Sequence, residues 1–206
     1  MFSMAMKRKW VIENASLEVD FMPVMPSAVG VFAPDVVGKL LQAAYDAKEM
    51  DILLAFAIQS FGGLRRSEVL GLSWGDVGAT SIRVTASNSK TDKGRGVEIQ
   101  KPLQKILSLF DAWKNKKNRD SPLIEMKDSQ WDKKRKKIML AAKISSWPHN
   151  ALRHTFVSSR LAMTKDPVTT AYEAGHTIEV MKSHYDAVVD PGDGKKHFQI
   201  EIETSA

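Results

Sequence analysis

Hydrophobic residues follow a helical period over most of this chain and change to a strand period in one central stretch. From Pro34 to about residue 44, apolar residues recur at helical spacing, and proline suits a first helical turn. Residues 51–61 are apolar on nearly every side and predict a central core helix. Residues 1–32 have no clear period and contain two prolines, which predicts an extended lead-in.

Glycine marks the next boundary, where Gly62 and Gly63 break the core helix and residues 64–72 predict a short helix. The period then becomes two. Apolar and polar residues alternate over 81–86, and apolar residues alternate again at Val97 and Ile99 after a polar loop. This pattern predicts a β-hairpin.

The second half returns to a helical period. We predict helices over 102–114, 129–143, 150–163 and 167–185, the last interrupted near residue 175. The segment HFQIEIE at 197–203 alternates again and predicts either a strand or a docking tail. The fold class is therefore mainly α with a small antiparallel hairpin, an α+β arrangement.

Charge favours a polyanionic partner. The 206 residues carry 30 Lys and Arg against 24 Asp and Glu, a formal charge of +6. The chain has no cysteine, which excludes disulfides, thiolate zinc sites and cysteine nucleophiles. It has no apolar run of membrane-spanning length and no signal peptide, so we expect a cytoplasmic protein without a membrane partner.

Two segments of the first half carry candidate chemistry. Arg65 and Glu68 are three residues apart and share a helix face, where they either form an ordinary ion pair or serve a site. Lys90, Lys93 and Arg95 lie at the predicted hairpin tip, where they either line a solvated turn or reach into a groove or to a phosphate.

Two segments of the second half complete the set. Asn150 can cap the helix that carries Arg153, because its side-chain oxygen can accept a free backbone N–H. His176 stands at the predicted helix break, and Tyr185 follows it by nine residues. Each segment alone has an ordinary structural explanation.

In this order, the four segments resemble the catalytic boxes of the tyrosine recombinase, or phage integrase, family over residues 34–188. The first is Gly63-Leu64-Arg65-Arg66-Ser67-Glu68, followed by the Leu-x-Leu-x-Trp of 70–74. The family's hairpin lysine matches Lys90 and the arginine after it matches Arg95. Its second arginine, within Leu-Arg-His, matches Arg153, and Gly175-His176 with Tyr185 match its Gly-His and tyrosine.

The resemblance implies a site-specific DNA recombinase or integrase that acts through a 3'-phosphotyrosine. Tyr185 would be the nucleophile, Arg65 and Arg153 would clamp the phosphate, and Lys90 would protonate the leaving oxygen. His176 would add a hydrogen bond, Glu68 would support Arg65, and Lys93, Arg95 and His149 would contact DNA. No cofactor, metal or ATP is implied.

Position 150 departs from the family pattern, which normally has histidine three residues before the second arginine. Here that residue is Asn150, while His149 lies four residues before Arg153. Because one residue turns a helical side chain by about 100°, we keep Asn150 as the catalytic candidate. An amide can donate to a phosphate oxygen but cannot accept and carry a proton.

The resemblance also predicts the organisation of the chain. We assign residues 1–33 to a lead-in or linker, 34–190 to the catalytic domain, and 191–206 to a tail that docks on a neighbouring protomer or forms an edge strand. Members usually carry an N-terminal helical domain that completes a clamp around DNA, and 33 residues are too few to form it. The implied partners are double-stranded DNA and other copies of the chain, a tetramer on paired sites or a monomer without DNA.

Three other functions stay open from the sequence. A DNA-binding remnant would keep the basic surface without catalysis, and a type IB topoisomerase would use the same chemistry to relax supercoils. A metal hydrolase would need the four histidines at 149, 154, 176 and 184, whose spacings of five and eight miss the four-residue interval of helical ligand pairs.

Overall fold

A computed structural model describes residues 2–14, 29–89, 94–185 and 188–204. The described helices are α1 (Phe2–Lys7), α2 (Pro34–Asp46), α3 (Met50–Gly62), α4 (Arg66–Leu70), α5 (Lys101–Ser108), α6 (Asp111–Lys114), α7 (Asp128–Ala141), α8 (Ala151–Thr164), α9 (Pro167–Ala174), α10 (Ile178–His184) and α11 (Pro191–His197). The strands β1 (Ser81–Val84) and β2 (Arg95–Glu98) form an antiparallel sheet.

Helix α3 is the centre of the core, as its uniformly apolar sequence predicts. Every residue from Ile52 to Gly62 is buried. Helix α2 packs on it through the predicted apolar stripe, which includes Leu40 and Leu41, and helices α5 and α8 cover other sides. Because α3 is surrounded, its C-terminal end at Gly62 has a fixed position in the core, from which the following turn projects.

The small sheet joins the core through one of its faces. Ile82 pairs with Val97 and Val84 pairs with Arg95 in the antiparallel register. These four side chains are buried, while the alternate residues of each strand are exposed. The sheet thereby carries one arginine inward, beside helix α9.

One expectation from the sequence is wrong in local structure, and one of the two alternatives for the C-terminal tail is not found. Residues 2–7 form the short helix α1 where an extended lead-in was predicted, and residues 15–28 lie outside the described part of the chain. The alternating segment after α11 forms no strand within its described residues, 198–204. It packs against the core of the same chain through Phe198, Ile200 and Ile202, and its docking on a neighbouring protomer stays a prediction.

The tail is anchored within the same chain at both ends. His197 is fully buried, and its Nε2 lies 2.7 Å from the carbonyl oxygen of Ser60 in α3. At the other end, the backbone N–H of Glu203 donates to Gln42 Oε1 at 2.8 Å, and Gln42 Nε2 donates back to the Glu203 carbonyl at 3.1 Å. These contacts hold the segment after α11 across helices α2 and α3.

Gly63 is a position at which a side chain would be poorly tolerated. Its φ is +65°, and an added Cβ would overlap the Phe156 ring. We expect Gly63→Ala to lower the free energy of unfolding by roughly 2–4 kcal/mol, because left-handed strain and overpacking add. Urea unfolding measures it, with Gly96→Ala as control, since no atom lies within 4 Å of that added Cβ. Equal losses in the two variants would contradict this account.

Burial of His197 makes stability depend on pH. Burial lowers the pKa of His197 from 6.5 to about 4, so the unfolded chain binds a proton more readily than the folded one between these values. The stabilisation is complete above pH 6.5 and is lost as pH falls towards 4, by on the order of 3 kcal/mol for this residue. Urea unfolding at a series of pH values should show a smaller decrease for His197→Gln than for the wild type. An unchanged pH dependence in that variant would refute the assignment.

Candidate active site

The glycine pair that ends α3 places Arg65 at the start of α4. Gly63 caps α3 in the left-handed conformation, and Arg65 then occupies the N-cap of α4 with an extended backbone. The Arg65 amide donates to Glu68 Oε2 at 2.8 Å, and its guanidinium Nη1 donates to Glu68 Oε1 at 3.0 Å. The predicted pairing of Arg65 with Glu68 is therefore present, and the carboxylate is fully buried.

Arg95 lies beneath this pair rather than at an exposed hairpin tip. It begins strand β2, its residue exposure is 6%, and its two terminal nitrogens donate to the two oxygens of Glu68 at 3.1 and 2.8 Å. Its Nε donates to the Glu173 carbonyl of α9 at 2.8 Å. The predicted location of Arg95 is wrong, because its place on the inner face of β2 turns its side chain away from solvent.

Glu68 therefore holds two arginines. Burial alone would raise the pKa of Glu68, but the bonds from Arg95 and Arg65 more than offset this and lower it below its usual value. The carboxylate stays ionised at neutral pH. Arg65 keeps 20% of its side chain exposed and donates through Nη2 to the Gly175 carbonyl at 3.2 Å.

Arg153 joins the ends of two helices. It lies in the first turn of α8 and is 2% exposed. Its Nη1 donates to the carbonyl of Gly63, after α3, and its Nη2 donates to the carbonyl of Ala174, the last residue of α9, at 2.5 Å. Carbonyls at helix C-termini lack partners within the helix, so a cation is favourable there. The bonds bring the Arg65 turn and the Gly175-His176 turn together.

His176 and Tyr185 lie beside each other, and the charges of Arg153 and Arg65 act on both. Gly175, with φ +62°, ends α9, and His176 follows it before α10 begins. Tyr185 caps the C-terminal end of α10, is 2% exposed, and has its ring centroid 5.5 Å from that of His176. The sequence-predicted break near residue 175 thus brings the two residues together.

His154 also contacts Tyr185, although sequence reasoning did not select it for this role. Its Nδ1 lies 2.5 Å from the Tyr185 hydroxyl oxygen. From the sequence, His154 was considered only as one of the four histidines that a metal hydrolase would need. Its place directly after Arg153, within Leu152-Arg153-His154, is the signal that could have identified it.

The structure leaves two of the remaining predicted site residues undescribed and places Asn150 and His149 beside each other on the surface. Lys90 and Lys93 lie outside the described residues, so their predicted roles are not tested. Asn150 has φ 54° and makes no side-chain cap of α8, so the predicted cap is wrong. Its amide nitrogen instead lies 3.1 Å from His149 Nδ1, on the surface before the helix.

The cluster carries an excess of positive charge. Its described side chains include the guanidinium groups of Arg65, Arg95 and Arg153 against the one carboxylate of Glu68. Burial, followed by repulsion from Arg65, lowers the pKa of Arg153 to about 9, which still leaves it charged at pH 7. A site with this balance favours an anion, and the partly exposed guanidinium of Arg65 can donate hydrogen bonds to one such as a phosphodiester.

The two histidines beside Tyr185 are neutral at pH 7, and the tyrosine is protonated. Burial, followed by Arg153, lowers the pKa of His154 to about 4 and that of His176 to about 3. Burial also raises the pKa of Tyr185, against the opposing effect of Arg153 and Arg65. The arrangement therefore combines a fixed positive pocket with a protonated hydroxyl that touches an unprotonated imidazole.

Neither a metal-binding group nor a membrane span is found in the part of the chain that the structure describes. In those ranges, no three histidine, aspartate or glutamate side chains are grouped so as to hold a metal ion. None of the helices described is both long and apolar enough to cross a bilayer.

The fold resembles several solved structures. XerA recombinase matches with a TM-score of 0.66 and 18% identity over 85% of this chain and 66% of the other. The catalytic domain of bacteriophage HP1 integrase matches with a TM-score of 0.58 and 23% identity over 75% and 86% of the two chains. DNA-bound lambda integrase matches with a TM-score of 0.61 and 17% identity over 98% and 74%. These matches confirm the predicted fold class.

Sequence comparison gives the family directly. No curated protein matches the chain. A family model described as "Phage integrase family" matches residues 31–190, which is most of the chain. The predicted resemblance is confirmed, and the chain belongs to the phage integrase family of tyrosine recombinases.

Proposed function

We propose that this chain breaks and rejoins DNA by site-specific recombination through a 3'-phosphotyrosine at Tyr185. The observation that carries the proposal is the contact of the Tyr185 hydroxyl with an imidazole beside the Arg65 and Arg153 guanidinium groups. A tyrosine hydroxyl is a weak nucleophile, and a phosphodiester repels nucleophiles through its negative charge. A hydrogen bond that orients the hydroxyl and a fixed pair of cations address these difficulties.

The arginines would act on the nonbridging oxygens of the scissile phosphate. Negative charge grows on those oxygens in the transition state, and preorganised donors that bind it there lower the barrier. Arg65 retains exposed surface for such a bond, while Arg153 is held by two backbone carbonyls and supplies charge from beneath. ATP is not needed for rejoining, because the phosphotyrosine conserves the energy of the broken phosphodiester. A metal is not needed, because the arginines supply the positive charge.

The other predicted residues take supporting roles in this proposal. Lys90 would give a proton to the 5' oxygen that leaves, and Lys93 and His149 would contact the DNA backbone. Asn150 would donate a hydrogen bond to a phosphate oxygen, and His176 would add another. Arg95 now has a different role: its burial and its bonds to Glu68 support positioning of the Arg65–Glu68 pair.

Double-stranded DNA is the proposed partner, with assembly of several copies on paired sites. The basic charge of the chain supports this, and so does the solved complex of lambda integrase with DNA. Another of the similar structures is a lambda integrase tetramer bound to a Holliday junction. This chain spans 66% of the XerA structure. Recombination by the whole protein is therefore part of the proposal.

The tyrosine variant tests the proposal directly. Tyr185→Phe removes only the hydroxyl, so we expect it to bind DNA with near-normal affinity and to form no covalent adduct. A nicked suicide substrate traps the wild-type adduct, which denaturing electrophoresis resolves from free protein. Adduct formation by Tyr185→Phe would refute the nucleophile. DNA binding without any wild-type adduct would favour the alternative function, a DNA-binding remnant.

Adjacent arginines provide a matched test of the phosphate clamp. We expect Arg65→Ala to slow single-turnover cleavage roughly 100-fold or more, by the scale of lost oxyanion donors. Arg66→Ala is the control, because Arg66 points to Asp128 at 2.8 Å and stacks over Trp131 at 5.0 Å, away from the site. Similar cleavage rates for the two variants would contradict the clamp.

A further inference from the structure

The strongest unassigned contact in the described site is the bond between His154 and Tyr185. The two atoms, Nδ1 and the hydroxyl oxygen, are 2.5 Å apart, and the rings lie with centroids 5.6 Å apart at 39°. Both groups are largely withdrawn from solvent. With the imidazole neutral, the hydroxyl donates and Nδ1 accepts, which places the imidazole proton on Nε2.

Other groups near the tyrosine are less suited to accept its proton. The Glu68 carboxylate is bound by Arg65 and Arg95 on both oxygens. The Nδ1 of His176 is buried and has no hydrogen-bond partner among the described residues, although its ring packs beside Tyr185. Asn150 carries an amide, which cannot hold an added proton.

The position of His154 relates it to the departure at residue 150. Positions 150 and 154 are four apart, about one helical turn of 5.4 Å. The His154 amide donates to the Asn150 carbonyl at 2.9 Å, and this bond belongs to the first turn of α8. An imidazole at 154 therefore lies one turn along the helix from the position at which the family normally has histidine.

We propose that His154 is a catalytic residue that accepts the proton of the Tyr185 hydroxyl, in the place of a histidine at position 150. The inference rests on the proposed function and names the proton acceptor of that same site. As the Tyr185 oxygen bonds to phosphorus, its proton moves to His154 Nδ1, and the bond from phosphorus to the 5' oxygen breaks. The 5' oxygen leaves as a hydroxyl with the proton that Lys90 is proposed to supply.

The reverse step uses the same groups in the opposite sense. The 5' hydroxyl of the incoming strand attacks phosphorus, and its proton returns to Lys90, the proposed donor of the forward step. The bond from phosphorus to the tyrosine oxygen breaks. His154, now an imidazolium, gives its proton back to Tyr185. Both directions balance without an oxidant, reductant or nucleotide.

The surroundings of His154 determine when it can accept the proton. Burial first, and then Arg153 in α8 and the histidines at 149 and 184, disfavour its charged form in the free protein and lower its pKa. The tyrosine hydroxyl therefore stays protonated until DNA is present. A phosphate bound by Arg65, above the buried charge of Arg153, brings negative charge to the site, and that charge stabilises the imidazolium as the tyrosine attacks.

Two substitutions of similar size separate proton transfer from positioning. In His154→Asn, the amide oxygen occupies a position near that of Nδ1 and can accept the hydroxyl hydrogen bond, but it cannot carry the proton. In His154→Leu, the side chain has nearly the same shape and can do neither. Circular dichroism and DNA-binding affinity show whether each variant is folded and binds the nicked substrate.

Single-turnover cleavage of the nicked substrate is the measurement. We expect His154→Asn to lower the rate by roughly 100-fold or more, by the scale of general-base catalysis, with DNA affinity unchanged. His154→Leu should be at least as slow. Near-normal cleavage by His154→Asn would overturn the proposal, because a hydrogen bond alone would then suffice.

A second substrate locates the defect on the nucleophile. When sulfur replaces the bridging 5' oxygen, the leaving thiolate needs no proton. We expect His154→Asn to stay slow relative to the wild type on this substrate, and restored cleavage would overturn the proposal by placing His154 at the leaving group.

If the wild type forms no adduct on either substrate, the proposed function fails and the inference fails with it. A wild-type adduct with a normal His154→Asn rate overturns the inference alone.

Discussion

The site depends on Arg153, whose guanidinium bonds to the carbonyls at the ends of two helices. One carbonyl belongs to Gly63, after α3, and the other to Ala174, at the end of α9. These groups are far apart in the chain, and each begins a turn that carries site residues. One buried cation therefore holds together parts of the fold that the chain itself does not connect locally. The carbonyl dipoles of the two helix ends stabilise this charge, which would otherwise be costly to bury.

Glu68 is the second group on which the site depends, and its single negative charge does not balance the arginines around it. The carboxylate binds Arg65 and Arg95, one partly exposed and the other buried. Arg95 in turn is fixed to α9 through the Glu173 carbonyl, so the sheet, α4 and α9 meet at one carboxylate. The position of Arg65 thus depends on Arg95 in the hairpin. The positive charges of Arg65 and Arg153 act on Tyr185.

Much of this site was predictable because it depends on short local patterns. The glycine break, the pairing of Arg65 with Glu68 and the break before His176 all follow from neighbouring residues. Arg95 also carried a usable signal: it stands two residues before Val97, and strand alternation places both on the inner face. The expectation of an exposed tip overlooked that alternation. Other features needed the folded chain. Within the described ranges the tail lays its apolar side against the core and pairs with no strand, and the left-handed φ of 54° at Asn150 turns it out of the helix that it was expected to cap.

The geometry of helix α8 links the bonds of Arg153 to the direction in which His154 points. Successive residues of a helix point about 100° apart, so Arg153 can face the carbonyls of Gly63 and Ala174 while His154 faces Tyr185. The bonds of Arg153 fix the rotation of α8 and hence the direction of His154. A histidine at 154 is therefore aimed at the tyrosine by the same interaction that assembles the phosphate pocket, whereas residue 150, just outside the helix, is free of that constraint.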